Sequence, residues 1–240
     1  KTAHFAAYNQ VAAEFAELIG VDEWRINPYF EQIGGLDFQE HEGEDALAEA
    51  VERMLAKIQA KYDEKGIPDK PFVIVKADAG TYGMGVMSVK SAEEVRSLNR
   101  KNRNKMAKIK EGLEVSEVIV QEGIYTYETL DGAVSEPVVY MMDRFVIGGF
   151  FRVHEGRAND ENLNAGGMVF VPLNQAIPVA GNEDGGDERC KRVFAQWDTL
   201  GVPQTNAANP DCECNRLYVY GVMARLSLLA ASLELEQAQP

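Results

Sequence analysis

The stretch "VIVKADAGTYGMGVMSV", Val73 to Val89, joins two apolar, β-branched runs through a loop with three glycines. This pattern predicts a strand, a glycine loop and a second strand. The glycines allow positive φ and a close backbone approach, so successive N–H groups can point into one concavity that favours anions. Lys76 ends the first run, where its ammonium can reach the same anion. The stretch is therefore either a flexible hairpin or a cradle for phosphate.

Known phosphate-binding motifs narrow the choice. A Walker loop places its lysine after the last glycine and leads directly into a helix, and the dinucleotide fingerprint also leads into a helix. Here an apolar run that predicts a strand follows the loop. Protein kinases do cover phosphates with a glycine hairpin, but the chain contains neither "HRD" nor "DFG". ATP-grasp ligases, which use a similar hairpin, remain.

The bulk composition is that of a globular protein. The chain has 240 residues, 45% hydrophobic and 26% charged, and a net charge of −14. An acidic surface opposes general binding to nucleic acid. The longest apolar run, Leu217 to Ser232, is shorter than a membrane span and contains Arg225. No signal peptide precedes the first predicted helix, so we expect a cytoplasmic protein without membrane partners.

One basic segment departs from this acidic background. It is either a solvated helix face or the lining of a site for an anionic ligand. Its basic residues are Arg96, Arg100, Lys101, Arg103, Lys105, Lys108 and Lys110.

The three cysteines, Cys190, Cys212 and Cys214, predict reduced thiols rather than a disulfide framework or a zinc site.

Apolar residues repeat at helical spacing on both sides of the glycine loop. This spacing predicts a helix that ends at Gly20, a second over Asp45–Tyr62, a third from Ser91 to Gly112 and a long final helix. A further helix is expected around "RCKRVFAQWDTLG", and "EPVVYMMDRFVIGGFFRVH" predicts two strands with a turn at Asp143-Arg144. Mixed strands and helices predict an α+β protein with helices packed on one face of a sheet.

Five motifs in order resemble one family. "PFVIVKADAGTYGMGV", "VIVQEGI", "EPVVYMMDR", "GGFFRVH" and "ENLNAGG" are similar to the proteobacterial, ATP-grasp type of glutamate–cysteine ligase, in detail over Pro71–Leu173. The resemblance implies the ATP-grasp fold, in which two α/β subdomains with mainly antiparallel sheets grip the nucleotide. It divides the chain into a helical lead-in (1–70), a glycine-loop subdomain with the adenine hinge (71–125) and a second subdomain (126–240). Because the chain begins with Lys1, we expect it to be a C-terminal portion that lacks an upstream domain.

The same resemblance implies the chemistry. The enzyme would join the side-chain carboxyl of glutamate to the amine of cysteine through an acyl phosphate, in the first step of glutathione synthesis. ATP and Mg²⁺ would be required, and the partners would be small molecules. The resemblance leaves open whether the protein forms a homo-oligomer.

The resemblance also assigns site residues. Lys76, Arg152 and Asn164 would be catalytic, and Glu161 with Asn162 would bind the metal. Gly80 to Gly85 would cradle phosphates while the hinge holds adenine. The full set expected to bind ATP is Lys76, Gly80, Tyr82, Gly83, Gly85, Gln121, Glu122, Gly123 and Ile124.

Several alternatives stay open at this point. Arg152 could pair with Glu155 or Asp160 instead of a ligand. The glutamate-x-asparagine magnesium clamp of better-known relatives is not found, so Glu161, Glu136 or no residue takes that role. The function could also be ligation of another amino acid or peptide, or nucleotide binding without activity in this fragment.

Overall fold

The computed structural model describes residues 1–79, 85–107, 114–173 and 214–238. These form two compact units: residues 1–126 with 157–166, and residues 127–156 with the described residues from 167 onward. Each unit contains one antiparallel four-stranded sheet. The architecture agrees with the predicted α+β class. None of the described helices is long and apolar enough to cross a membrane.

The first unit has the strand order β1-β4-β2-β3. Helices α1 and α2 end where Gly20 and Gly66 adopt left-handed φ of 69° and 68°, which confirms the predicted stop at Gly20. The elements are α1 (Thr2–Ile19), a 3₁₀ turn (Glu23–Arg25), β1 (Phe30–Gly34), α2 (Glu44–Lys65), β2 (Val73–Ala77), β3 (Val86–Val89), α3 (Ala92–Arg96), α4 (Arg100–Ala107) and β4 (Glu117–Glu122).

The sheet of the first unit has two different faces. Val73, Val75 and Ala77 of β2 are buried in the core that contains the inner side of α2. Strand alternation turns Ile74 and Lys76 to the opposite face. That second face lies near α1, whose Phe5 ring contacts Phe30 of β1 at 5.5 Å between centroids.

The prediction of one continuous helix from Ser91 to Gly112 is wrong, because the helix is interrupted after Arg96. The helix stops at Arg96, and α4 begins at Arg100. The Ser97 hydroxyl donates to the Glu93 carbonyl at 2.7 Å, and Asn99 Oδ1 accepts from the Asn102 N–H at 2.9 Å. Asn99 thus caps a new helix, because short polar side chains compete for backbone hydrogen bonds.

The second unit has the strand order β5-β6-β7-β8. The predicted hairpin is confirmed: β6 and β7 flank the pair Asp143-Arg144, and Asp143 has a φ of 51°. Phe151 faces the last helix, where its ring lies 6.3 Å from that of Tyr220. The elements are β5 (Thr129–Leu130), β6 (Ala133–Met142), β7 (Phe145–His154), β8 (Val169–Pro172) and α5 (Cys214–Gln237).

The two units divide the chain differently from the predicted domains 1–70, 71–125 and 126–240. Residues 1–70 share a unit with the glycine hairpin, and the division falls between Thr126 and Tyr127. Residues 157–166, predicted in the second subdomain, lie in the first unit. The Thr126 N–H donates to the Asn159 carbonyl at 2.8 Å, and Lys90 pairs with Asp160 at 2.5 Å. These contacts hold the segment to the first unit.

Some predictions fall outside the described residues. They concern Lys108 and Lys110 of the basic segment, Cys190, Cys212, and the helix around "RCKRVFAQWDTLG". The side chain of Cys214 is also outside the described part.

Candidate active site

Lys76 lies on the face of the first sheet that is opposite α2. Its Nζ is 5.2 Å from the centroid of the Phe5 ring. Burial, together with the smaller effect of the positive charge of Lys1, lowers the pKa of Lys76 to about 8. A partly buried cation that lacks a carboxylate partner among the described residues is suited to an anionic ligand.

The glycine loop is described only at its end. Gly80, Tyr82 and Gly83 lie outside the described residues, so their expected phosphate contacts stay a prediction. Gly85 has a φ of 60°, a conformation that favours glycine. Its carbonyl accepts from the Ala77 N–H at 2.8 Å, which closes the hairpin one residue beyond Lys76. Lys76 therefore stands directly beside the base of the loop.

Gln121 shares a sheet face with Lys76. The register pairs Ile74 with Gln121 and Lys76 with Ile119, so all four side chains alternate onto the face away from α2. Gln121 is buried, with 9% of its surface exposed. The expected contact of Gln121 with adenine stays a prediction, and its position on this face is compatible with it.

Glu122 faces the other side of the sheet from Gln121. Its carboxylate accepts from Trp24 Nε1 at 2.9 Å and from the Tyr29 N–H at 3.0 Å. Only 5% of Glu122 is exposed, and burial raises its pKa. The side chain is therefore a structural link between β4 and the segment before β1, and the expected contact of Glu122 with ATP stays a prediction.

The residues after Glu122 form the end of the predicted hinge. A Cβ atom on Gly123 would lie 2.2 Å from Phe72 Cε2, so glycine is required there for close packing. The Gly123 N–H donates to the Phe72 carbonyl at 2.9 Å. Ile124 is 67% exposed and is an apolar side chain open to a ligand. Gly123 thus has a packing role, whereas Ile124 remains available for adenine.

The segment 157–166 is a compact loop. Glu161 accepts from the Ala158 N–H and from Arg157 Nη1, both at 2.8 Å, and these bonds lower its pKa. Asn162 Oδ1 accepts from the Asn164 N–H at 2.9 Å. The two asparagines and Glu161 are thus brought together.

This loop lines one side of a cavity of about 600 Å³. Strand β3, helices α3 and α4 and the link between these helices supply the other residues, and Ile74 of β2 also lines the cavity. Lys105 is the described member of the basic segment that lines the cavity, and a role of this segment in anion binding stays a prediction. The cavity combines apolar strand residues with amide, hydroxyl and charged groups.

The residues expected to bind the metal already have hydrogen-bond partners. Both carboxylate oxygens of Glu161 and the Oδ1 atom of Asn162 already accept hydrogen bonds within the loop. In the described part of the chain, no three His, Cys, Asp or Glu side chains form a group that could hold a metal ion. Mg²⁺ is commonly bound by one or two carboxylates together with phosphate oxygens and water, so the expected metal role of Glu161 and Asn162 stays a prediction.

Arg152 lies in the second unit and pairs with neither Glu155 nor Asp160. Its partner is Glu136, directly opposite on β6, and Arg152 Nη1 donates to Glu136 Oε1. The Nε atom of Arg152 is buried and has no hydrogen-bond partner. One donor of the guanidinium thus stays unsatisfied, which is uncommon for a buried polar atom.

Comparison with known proteins agrees with this arrangement of motifs. A family model for glutamate-cysteine ligase (GshA) matches residues 1–235. The chain belongs to the glutamate-cysteine ligase family. A solved structure with 55% sequence identity, a proposed gamma-glutamylcysteine synthetase from Methylobacillus flagellatus KT, superposes with a TM-score of 0.78. The match covers 100% of this chain and 51% of that protein, so the chain spans about half of its length. No curated protein matches the chain.

Sequence reasoning missed two partners in this glutamate-cysteine ligase family member. The contact of Phe5 with Lys76 had no signal, because helical periodicity places Phe5 only on an apolar helix face. The pairing of Glu136 with Arg152 depends on the β6–β7 register. The two-residue turn at Asp143-Arg144 alone would place Arg152 opposite Ser135, and the one-residue bulge at Tyr140 and Met141 shifts the partner to Glu136, so the turn signal was not sufficient.

Proposed function

We propose that this chain is part of an ATP-dependent ligase that joins the side-chain carboxyl of glutamate to the amine of cysteine. Family membership over residues 1–235 carries the proposal. The placement of Lys76 supports it, since this partly buried lysine stands at the base of a glycine hairpin. Two antiparallel sheets, with a strand–glycine loop–strand unit in the first, support the ATP-grasp fold.

The chemistry needs an activated carboxyl group. A carboxylate does not react with an amine until one of its oxygens becomes part of a leaving group. In the proposed reaction the glutamate side-chain oxygen attacks the γ-phosphorus of ATP, the bond to ADP breaks, and an acyl phosphate forms. The cysteine nitrogen then attacks the carbonyl carbon, phosphate leaves, and the amine loses a proton to solvent.

Lys76 and the glycine loop would hold the phosphates. At neutral pH a pKa of about 8 keeps most Lys76 side chains protonated. The charged form neutralises phosphate oxygens, and backbone N–H groups of the loop add directed hydrogen bonds. Gln121 and Ile124 would contact adenine, the first through its amide and the second through its exposed apolar surface.

Arg152 would stabilise the transferring phosphoryl group. A planar guanidinium presents paired donors that match phosphate oxygens. Glu136 occupies one of its nitrogens and fixes its orientation, while Nε stays without an acceptor. Asn164 would orient the substrate from the loop that lines the cavity of about 600 Å³. Mg²⁺ would enter with ATP as the counter-ion of its phosphates.

The proposal is tested by ADP release. The enzyme, supplied with ATP, Mg²⁺ and glutamate, should release ADP at a substantial rate only after cysteine is added. Equal ADP release with and without cysteine would refute cysteine as the acceptor. Replacing cysteine by other amino acids tests the alternative of a different acceptor. Absence of any binding of ADP with Mg²⁺, measured by calorimetry, would refute the nucleotide site itself.

A further inference from the structure

The first turn of α1 is bound to the end of β2, where the glycine loop begins. Asp78 directly follows β2, and its Oδ1 atom accepts from the Thr2 N–H at 2.7 Å and from Thr2 Oγ1 at 3.1 Å. The Asp78 N–H donates to the Glu117 carbonyl at 3.0 Å, so Asp78 joins α1 to both β2 and β4. We propose that Asp78 is a positioning residue, which holds α1 where Phe5 covers the ammonium of Lys76.

The residue that precedes α1 does not cap the helix. Lys1 occupies the N-cap position, and its side chain makes no capping hydrogen bond. The first N–H groups of a helix have no partner within it, so an acceptor from elsewhere in the chain stabilises the start. Asp78 supplies this acceptor, and its negative charge also interacts favourably with the positive end of the helix dipole. The start of α1 is therefore fixed by a residue next to the glycine loop.

Lys1 adds contacts to the same junction. Its Nζ atom donates to the carbonyl oxygens of Ala77 and Asp78, the second at 2.9 Å, and its α-ammonium lies 2.9 Å from Asp78 Oδ1. Burial raises the pKa of Asp78, but hydrogen bonds from the Lys1 α-ammonium and from Thr2 outweigh burial, and the pKa lies below its ordinary value. Asp78 is therefore a carboxylate at neutral pH and a strong acceptor for α1.

Phe5 connects this junction with Lys76. The Phe5 N–H donates to the Lys1 carbonyl at 2.9 Å, so Phe5 belongs to the first hydrogen-bonded turn of α1, the turn that Asp78 anchors. Its ring lies 5.2 Å from Lys76 Nζ and excludes water from one side of the ammonium. Burial is the larger cause of the lowered pKa of Lys76. Asp78 thus acts on Lys76 through the placement of Phe5.

Several charged or titratable groups lie near Lys76. Lys1 lowers its pKa by charge, His4 lies in the first turn of α1, and Glu117 extends from β4 on the same sheet face as Lys76. The carboxylate of Asp78 is a further charge. A nearby carboxylate raises the pKa of a lysine, whereas burial lowers it. The charge of Asp78 and its anchoring of α1 therefore act on Lys76 in opposite directions, and substitutions can separate them.

Direct titration of Lys76 tests the proposal without nucleotide. The NMR signal of its Cε atom in isotopically labelled protein follows protonation, and its loss in Lys76→Met assigns it. Asp78→Ala removes the acceptor for Thr2, so the pKa of Lys76 should rise from about 8 toward the ordinary value of 10.5. Phe5→Ala should raise it too, because the ring is removed. Asp78→Asn keeps an oxygen for the Thr2 N–H, so the pKa should not rise.

Asp37→Ala is the matched control. Asp37 Oδ1 also accepts from two backbone N–H groups, those of Gln39 at 2.8 Å and Glu40 at 3.1 Å, in the segment before α2. Its replacement should lower the melting temperature without a change in the pKa of Lys76. Thermal melts of every variant detect unfolding. If Asp78→Ala does not fold, Phe5→Ala carries the test, since it leaves the hydrogen bonds of Asp78 in place.

Calorimetric titration with ADP and Mg²⁺ gives the functional result, which rests on the proposed role of Lys76 in binding phosphate. The loss of ADP affinity with rising pH should begin at a higher pH in Asp78→Ala than in the parent, because Lys76 stays charged to a higher pH. The proposal is overturned if the pKa of Lys76 is unchanged or lower in folded Asp78→Ala or Phe5→Ala, or if Asp37→Ala raises it equally. A pKa that responds as expected in a protein that does not bind ADP would refute only the proposed function.

Discussion

The Nζ atom of Lys76 lies 5.2 Å from the ring of Phe5, so the first helix contributes to the surroundings of the lysine at the base of the glycine hairpin. Burial beside this helix lowers the pKa of Lys76 to about 8. A lysine in water titrates well above the physiological range. The fold thus brings the pKa of Lys76 close to physiological pH, so the charge of this lysine depends on pH in that range.

Binding of ADP should depend on pH through Lys76. The lysine is protonated below its pKa of about 8, so affinity should be greatest there and fall as pH rises, by up to about tenfold per pH unit. Lys76→Arg should keep its charge and bind ADP with little change up to pH 9. Calorimetric titrations from pH 6.5 to 9 measure both curves. Parallel curves for the two proteins would contradict a role for the Lys76 charge.

Lys76→Met should weaken ADP binding at pH 7 by about tenfold or more, because it removes a charge-assisted contact. The methionine side chain retains most of the apolar stem, so the fold should persist. Lys70→Met, at an exposed position before β2, is the matched control. Similar losses in both variants would indicate a general effect of charge rather than a site.

Glu122→Ala should destabilise the first unit by about 2 kcal/mol, because Trp24 Nε1 and the Tyr29 N–H lose their acceptor. Glu122→Gln keeps one oxygen and should cost less. Burial raises the pKa of Glu122 above its ordinary value of 4.5. Between these two values the folded state binds more protons than the unfolded state, so the contribution of Glu122 to stability falls as pH rises.

Thermal melts of the parent and Glu122→Gln between pH 4 and 7 measure that slope, which the glutamine variant should lack. ADP affinity should be unchanged in Glu122→Gln, since the side chain lies on the face opposite Lys76. A large loss of ADP binding without loss of stability would instead place the Glu122 side chain in the nucleotide site.

Gly123→Ala should destabilise the protein by about 1–3 kcal/mol, because its Cβ would lie 2.2 Å from the Phe72 ring. Gly148→Ala is the control: a Cβ there meets no atom within 4 Å, and its effect should be within about 0.5 kcal/mol. Melting temperatures compare the two. Equal stability of both variants would show that Phe72 moves aside at little cost.

Arg152→Lys should lower kcat by about 100-fold while the KM for ATP changes little, because lysine retains the charge but not the paired donors. Glu136→Gln keeps a hydrogen-bond acceptor for Arg152 and should reduce kcat far less. Steady-state kinetics of ADP release separates the two parameters. A rise in KM without a fall in kcat would place Arg152 in ground-state binding instead.

The sequence alone determined the local elements. Periodicity and glycine gave α1 with its end at Gly20, and the apolar runs around the glycine loop gave β2 and β3. These features depend on neighbouring residues, and local preferences act over a few positions. The same local evidence failed between α3 and α4, where Ser97 and Asn99 redirect backbone hydrogen bonds inside a helical pattern.

Only the tertiary structure decided how side chains are used. Gln121 and Glu122 are adjacent polar residues in the sequence, yet one shares the face of Lys76 while the other is bound to Trp24. Strand alternation separates the two, but which face meets the helix depends on residues far along the chain. The partners of Lys76, Glu122 and Arg152 come from other elements, so their charges and roles are set by contacts that no local pattern encodes.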